Sequence, residues 1–244
     1  VTTGVAVTFP ATKASIKDIA ITAAYGSISA ATTAITSPCV DAHIIRCAID
    51  VSKTGGAFAL RCITATAGAL WIEDCISTLT ITGAATTNAV HAFAYKSGAT
   101  TIVELLRSNF TGTCNDPTSY IAGINTVAGG ARNFHVHYND FNITNTGVAT
   151  SYAMGVYISG TPTASEISFN CFNIVAVTAT YGVYLNSSTD TAVMRTCHNK
   201  FECSGATNNY FVAIGNGDTL SSAFDKIIAP QGNTVLSGSA TINQ

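Results

Sequence analysis

The feature that most constrains this chain is a repeat with a period near thirty residues. Residues 134–158 read FHVHYNDFNITNTGVATSYAMGVYI, residues 167–185 read ISFNCFNIVAVTATYGVYL, and residues 193–214 read VMRTCHNKFECSGATNNYFVAI. Each carries an alternating strand, then Asn-x-Phe-x-apolar, then a small or polar turn, then a second strand of the Gly-Val-Tyr type. Aligned on the Phe, the anchors are Phe141, Phe172 and Phe201, and the frame extends to Ile21, Ile49, Ile76, Phe110 and Ile227. The steps run from 26 to 34 residues and imply about eight coils. Self-similarity at such a period marks units that stack so that their inward faces form one continuous core.

Helical repeats of this length do not fit, because apolar residues alternate with period two and β-branched residues and Gly fill the segments. No Leu-x-x-Leu-x-Leu frame recurs, and the single Asn-Gly, at 216–217, is not the recurring hairpin signal a propeller blade needs. The remaining architecture is an all-β parallel β-helix (solenoid), each coil made of three short strands and three turns. It covers 1–244 as a single domain, with the repeats clearest in 102–214.

Composition agrees. Apolar residues make up 47% of the 244 and charged residues 10%, the reverse of a disordered chain. The formal net charge of -2 offers no electrostatic footprint for nucleic acid. Polar residues interrupt every apolar run, so no membrane span is expected. The chain begins at Val1 with neither initiator Met nor signal peptide, which reads as a processed start. Thr, Ala, Ser, Asn and Gly replace Lys and Glu on the surface, as suits stacked rungs that would otherwise set like charges about 4.8 Å apart. The cysteines at 39, 47, 62, 75, 114, 171, 197 and 203 permit four disulfides or serve as small buried residues. There is no CxxC pair, and no metal or cofactor site is expected. Sequons begin at Asn109, Asn142 and Asn186, no more than chance gives in a chain this rich in Asn, Ser and Thr.

The recurring Asn-x-Phe-x-apolar and Gly-Val-Tyr elements of residues 102–214 resemble the pectate-lyase-like, single-stranded right-handed parallel β-helix superfamily. Its members include polysaccharide lyases and hydrolases, phage tailspikes and adhesins. The resemblance implies a right-handed solenoid, and it implies that Asn139, Asn170 and Asn199 form an asparagine ladder. It is one of pattern alone: the paired Asp residues of polygalacturonase-type hydrolases do not occur, and the carboxylates are scattered.

With each anchor inward, Ile143, Ile174 and Cys203 also point inward. Thr22, Asp50, Ser77, Thr111, Asn142, Asn173 and Glu202 form an outward polar column, broken by Ile228. Six residues before each anchor lies a second column: His43, Leu70, Glu104, His135, Glu166, Arg195. Glu104 and Glu166 are expected two rungs apart, roughly 9–10 Å by strand spacing, near the upper end for the carboxylates of an inverting glycosidase. His135 between them can serve as acid or base, with His137, Asp140 and Arg195 nearby. The simpler role for these residues is pairing across an exposed sheet. Tyr120, Tyr138, Tyr152, Tyr157, Tyr181, Tyr184 and Tyr210 recur in the same half, and Tyr faces suit carbohydrate. Tyr157 and Tyr184 occupy equivalent positions, as sugar-binding or as stacked wall residues. Trp71 is expected in the core. The Thr-rich TLTIT of 78–82 raises ice binding, but no neighbouring coil repeats it in the same frame.

The leading expectation is an extracellular, cell-surface or virion β-helix of tailspike, adhesin or surface-fibre type. Its partner is a polysaccharide or surface glycan. Self-association as a trimer or an end-to-end filament is expected because 1–15 and 229–244 look too short and polar to cap the ends. The alternative is a polysaccharide hydrolase or lyase using Glu104, His135 and Glu166.

Overall fold

The computed structural model describes residues 6–83, 89–97, 101–127, 131–148, 150–162, 164–186, 192–205, 207–214, 219–228, 236–237 and 241–243. Residues 1–5 and most of 229–244, considered above as end segments, lie outside them. The described residues form a parallel β-solenoid of about seven turns, about 29 residues per coil. Among them there is no helix, and none long and apolar enough to cross a membrane.

Three parallel sheets of nine, ten and eight strands wrap the core. Each is named here for the residues that define it. The tyrosine sheet includes Val90–Lys96, Tyr120–Thr126, Tyr152–Ser159 and Ala179–Asn186. The histidine sheet includes Thr101–Leu106, Ala131–His137, Ser165–Ser168 and Val193–Cys197. The phenylalanine sheet includes Asn109–Cys114, Asp140–Asn145, Cys171–Ala176 and Lys200–Ser204. All the pairings are parallel, so each side chain sits above its counterpart in the next coil and like residues form columns.

The inward column of the phenylalanine sheet is Ile21, Ile49, Ser77, Phe110, Phe141, Phe172, Phe201, Ile227. Phe141, Phe172 and Phe201 stack with centroids 4.9 and 4.8 Å apart and nearly parallel planes. Burying each ring contributes about 1.5–3 kcal/mol, with about 0.5–1.5 more for an aromatic pair. Ile227, at the end of the described column, is 38% exposed, and the register departs from the anchors at Ile76. Ile76 is 62% exposed, and Ser77, at 1%, takes the inward place.

The chain passes from the histidine to the phenylalanine sheet through a two-residue corner in every coil. The first residue is left-handed: Asp18, Arg46, Asp74, Arg107, Tyr138, Phe169, His198 and Phe224 have φ between 45° and 58°. Such a conformation costs a non-glycine residue about 1–2 kcal/mol. The second corner residue offsets that cost. Asn139 donates from both its backbone N and its Nδ2 to Asn170 Oδ1 at 2.9 Å. Asn170 repeats this on Asn199, and Asn199 on Asp225. The ladder runs on beyond the three asparagines. Ser108 N donates to Asn139 Oδ1, Cys75 N to Ser108 Oγ, and Cys47 N to Cys75 Sγ.

The cysteines belong to this scaffold. All eight are free, and all but the half-buried Cys171 are buried. Two lysines are also buried: Lys53 Nζ donates to the carbonyls of Gly56 and Phe58, and Lys96 Nζ to those of Ala67 and Ser97. Each buried ammonium is thus satisfied by turn carbonyls.

Candidate functional site: a tyrosine groove and a titratable column

Strand alternation should put residues three apart on opposite faces. The tyrosine sheet breaks this rule in every coil. Pairing skips one central residue per strand, as at Gly123, Gly155 and Gly182. A Cβ at Gly155 or Gly182 would overlap the ring of Phe172 or Phe201, so only glycine lets the strand close on the phenylalanine stack there. The bend turns the residue before the glycine and the residue two after it to the same outer face. Met154 and Tyr157, and Tyr181 and Tyr184, therefore line one cleft together.

That cleft has a volume of about 300 Å³, and Val90, Tyr120, Tyr152, Met154, Tyr157, Tyr181 and Tyr184 line it. Its geometry follows from three columns. Ala92, Ala122 and Met154 form a floor that ends at Tyr181. Val90, Tyr120 and Tyr152 form one wall, and Tyr95, Asn125, Tyr157 and Tyr184 the other. The Tyr120 and Tyr152 rings stack at 4.7 Å, and Tyr181 stacks on Tyr184 at 4.8 Å and on Tyr210 at 5.1 Å. Tyr157 and Tyr184 lie 5.3 Å apart and tilted, with Asn186 Nδ2 donating to the Tyr157 hydroxyl. Burial, reinforced by neighbouring tyrosines, raises the hydroxyls of Tyr120, Tyr181 and Tyr184, so these three stay uncharged. Of the seven recurring tyrosines, Tyr138 alone stands apart. It is on the corner, 59% exposed, at the head of a stack continued by Phe169, His198 and Phe224.

The histidine sheet carries the titratable column. Its outward residues are His43, Trp71, Glu104, His135, Glu166 and Arg195, in register on successive rungs. Trp71 replaces the expected Leu70, which is fully buried. Trp71 is thus a half-buried wall residue rather than core; its ring stacks on His43 at 5.5 Å and it donates to Asp41. His135 Nδ1 lies 3.1 Å from Glu104 Oε1. His137 follows on the same face, its Nδ1 against Ser168 Oγ, and its ring centroid is 6.1 Å from that of His135. Burial lowers the His137 pKa, Glu166 and Glu104 oppose that, and His135 adds to it. Glu166 Oε1 accepts a long contact from Cys197 Sγ. Arg195 occupies the next rung. Asp140 is across the corner on the phenylalanine sheet, exposed, in register with Cys171. Among the described residues no group of His, Cys, Asp and Glu is arranged to hold a metal ion.

The polar column of the phenylalanine sheet is as expected, with Thr78 in place of Ser77. That shift also changes the threonine pattern. Thr78 pairs with Thr111, and Thr80 with Thr113, which pairs with Thr144, so the array does repeat in the next coil. It is short, because Asp50 and Asn142 bound the Thr78–Thr111 pair.

Sequence reasoning named the tyrosines but missed the groove they make. The signal was the glycine two residues before each of Tyr157 and Tyr184. The chain matches no protein-family model, no curated protein and no solved structure.

Proposed function

We propose that this protein is an extracellular glycan-binding β-solenoid whose ligand seats in the tyrosine groove. One observation carries the reading: six tyrosines from four coils surround or back a neutral, half-buried groove on a rigid sheet. Tyr rings bury the apolar face of a sugar while their hydroxyls reach its polar rim. The ordered stacking means little side-chain entropy is lost on binding. The asparagine ladder at a two-residue corner, with its inner phenylalanine stack, supports placement in the pectate-lyase-like right-handed class. Tailspikes and adhesins of that class suggest a cell-surface or virion setting and assembly as a trimer or filament.

A second reading, polysaccharide cleavage, is favoured by the His135–Glu104 hydrogen bond with Glu166 one rung further on. Two carboxylates about 9–10 Å apart with an intervening imidazole have the parts of an acid–base pair.

The test is a panel of bacterial and plant polysaccharides, scored both for retention of the protein and for new reducing or unsaturated chain ends. Retention without cleavage, lost on Tyr184→Ala, is the expected result. Cleavage lost on Glu166→Gln would replace the binding reading with the catalytic one.

A further inference from the structure

The columns that build the groove continue one rung toward the N-terminus, and there the floor changes character. Arg61 takes the position held by Ala92, Ala122 and Met154 in the following coils. Its guanidinium carbon lies 3.4 Å from the centre of the Tyr95 ring, and Tyr95 heads the wall that runs on through Asn125, Tyr157 and Tyr184. A guanidinium so stacked is braced in place.

Arg61 is half-buried and lacks an anion. Burial lowers its pKa, Tyr95 is what opposes that, and no carboxylate contributes. Its Nε is buried with no hydrogen-bond partner among the described residues. Asn125, two rungs on in the adjacent wall, is 2% exposed, and its Oδ1 also lacks a partner. A desolvated cation without a counter-charge is costly to a fold, as is a buried acceptor without a donor. These two deficits lie on adjacent columns of one groove, either side of the Ala92 rung. Between Arg61 and the tyrosines the floor is Ala92 and Ala122, both fully buried, and Val90 and Tyr120 border the cleft on that side.

Resting on the reading of the groove as a glycan site, we propose that its ligand is acidic. A carboxylate or sulfate pairs with Arg61, and the sugar rings beyond lie against the tyrosines. The planar fork of Arg suits both anions. The chain would run along the solenoid axis with its anionic substituent toward the N-terminal end.

The test is a glycan array carrying neutral, uronate-bearing and sulfate-bearing oligosaccharides. It is probed with the wild-type chain, Arg61→Gln, Arg61→Lys, Tyr184→Ala, and Lys226→Gln as a control for loss of one distant exposed charge. Expected are hits among the acidic glycans, weakened about tenfold or more by Arg61→Gln and unchanged by Lys226→Gln. Hits confined to uronates or to sulfates assign the anion. Should Arg61→Gln fail to fold, Arg61→Lys decides. It keeps the charge but not the fork, so acidic glycans must bind it more weakly than wild type, and equal binding overturns the proposal. Neutral glycans bound equally by wild type and Arg61→Gln, yet lost on Tyr184→Ala, would overturn the role of Arg61 and leave the groove standing. An array with no hits would overturn both.

Discussion

Tyr181 and Tyr184 lie three residues apart on one strand, yet their rings stack at 4.8 Å with planes 15° apart. The pairing register passes over Gly182, as it does over Cys62, Phe93 and Phe211 in other coils, and the absence of a Cβ lets the strand close against Phe201. Gly182→Ala would drive a methyl into that ring. Overpacking of this kind costs about 1–3 kcal/mol. Urea unfolding should show a loss of that size, with glycan retention lost as well because the two tyrosines no longer share a face.

The corner ladder makes a separate prediction. Asn170 Oδ1 accepts two hydrogen bonds from Asn139, and its Nδ2 donates to the carbonyls of Val136 and Ser168. Asn170→Ala leaves the Asn139 N–H without its acceptor and the two carbonyls without the amide donor while Phe169 remains left-handed. At about 1–3 kcal/mol for an unsatisfied buried group, the loss should exceed that of the exposed Asn173→Ala on the next strand. Equal urea midpoints for the two variants would contradict the ladder's role.

Stability should fall on mild acidification. His91 is fully buried; burial lowers its pKa below the usual 6.5, Asp116 opposes this, and Lys53 and Arg61 add to it. His137 is lowered too, chiefly by burial. The unfolded chain therefore binds protons first as pH drops, so stability is complete above about 6.5 and declines below it. The lowered carboxylates Asp18, Asp41 and Asp74 act in a separate window, below their usual 3.8. Urea midpoints measured from about pH 8 to pH 5 should fall only over the acid half, and His91→Gln should flatten that fall. A midpoint rising toward pH 5 would contradict the account.

The thiols should be silent in the native protein. Burial pushes Cys75 up to about 11 and Cys114 and Cys203 up to about 12, and it raises Cys62 further still. A thiol reagent at neutral pH should label at most the half-buried Cys171, itself raised by burial, and only slowly. Unfolding in urea without reductant should then release all eight thiols. Fewer than eight would indicate disulfides.

Much of this fold could be read in the chain, because a parallel solenoid writes its columns directly into the repeat. Phe141, Phe172 and Phe201 are in register as the sequence frame places them, as are Glu104, His135, Glu166 and Arg195. The misreadings have one origin. Ile76 looks like the anchor of its coil, but Ser77 fills that inward place. A slip of one residue inverts a strand. It put Leu70 outside and Trp71 inside, set Ser77 in the polar column, and hid the match of Thr78 to Thr111. The groove was illegible for another reason. Period-two alternation assigns Tyr181 and Tyr184 to opposite faces, and only the skip in register at Gly182, shared with neighbouring coils, reunites them.

The central claim is that the tyrosine sheet is a ligand surface, and glycan retention by a variant lacking two of its rings tests it most directly. Tyr152→Ala/Tyr184→Ala removes one ring from each wall and leaves the phenylalanine core and the corner ladder untouched. Wild type should be held by at least one glycan of the panel, and the double variant, with an unchanged β-sheet circular dichroism spectrum, should be held at least about tenfold less tightly. Equal retention of the two proteins would place the ligand elsewhere on the solenoid and contradict the account.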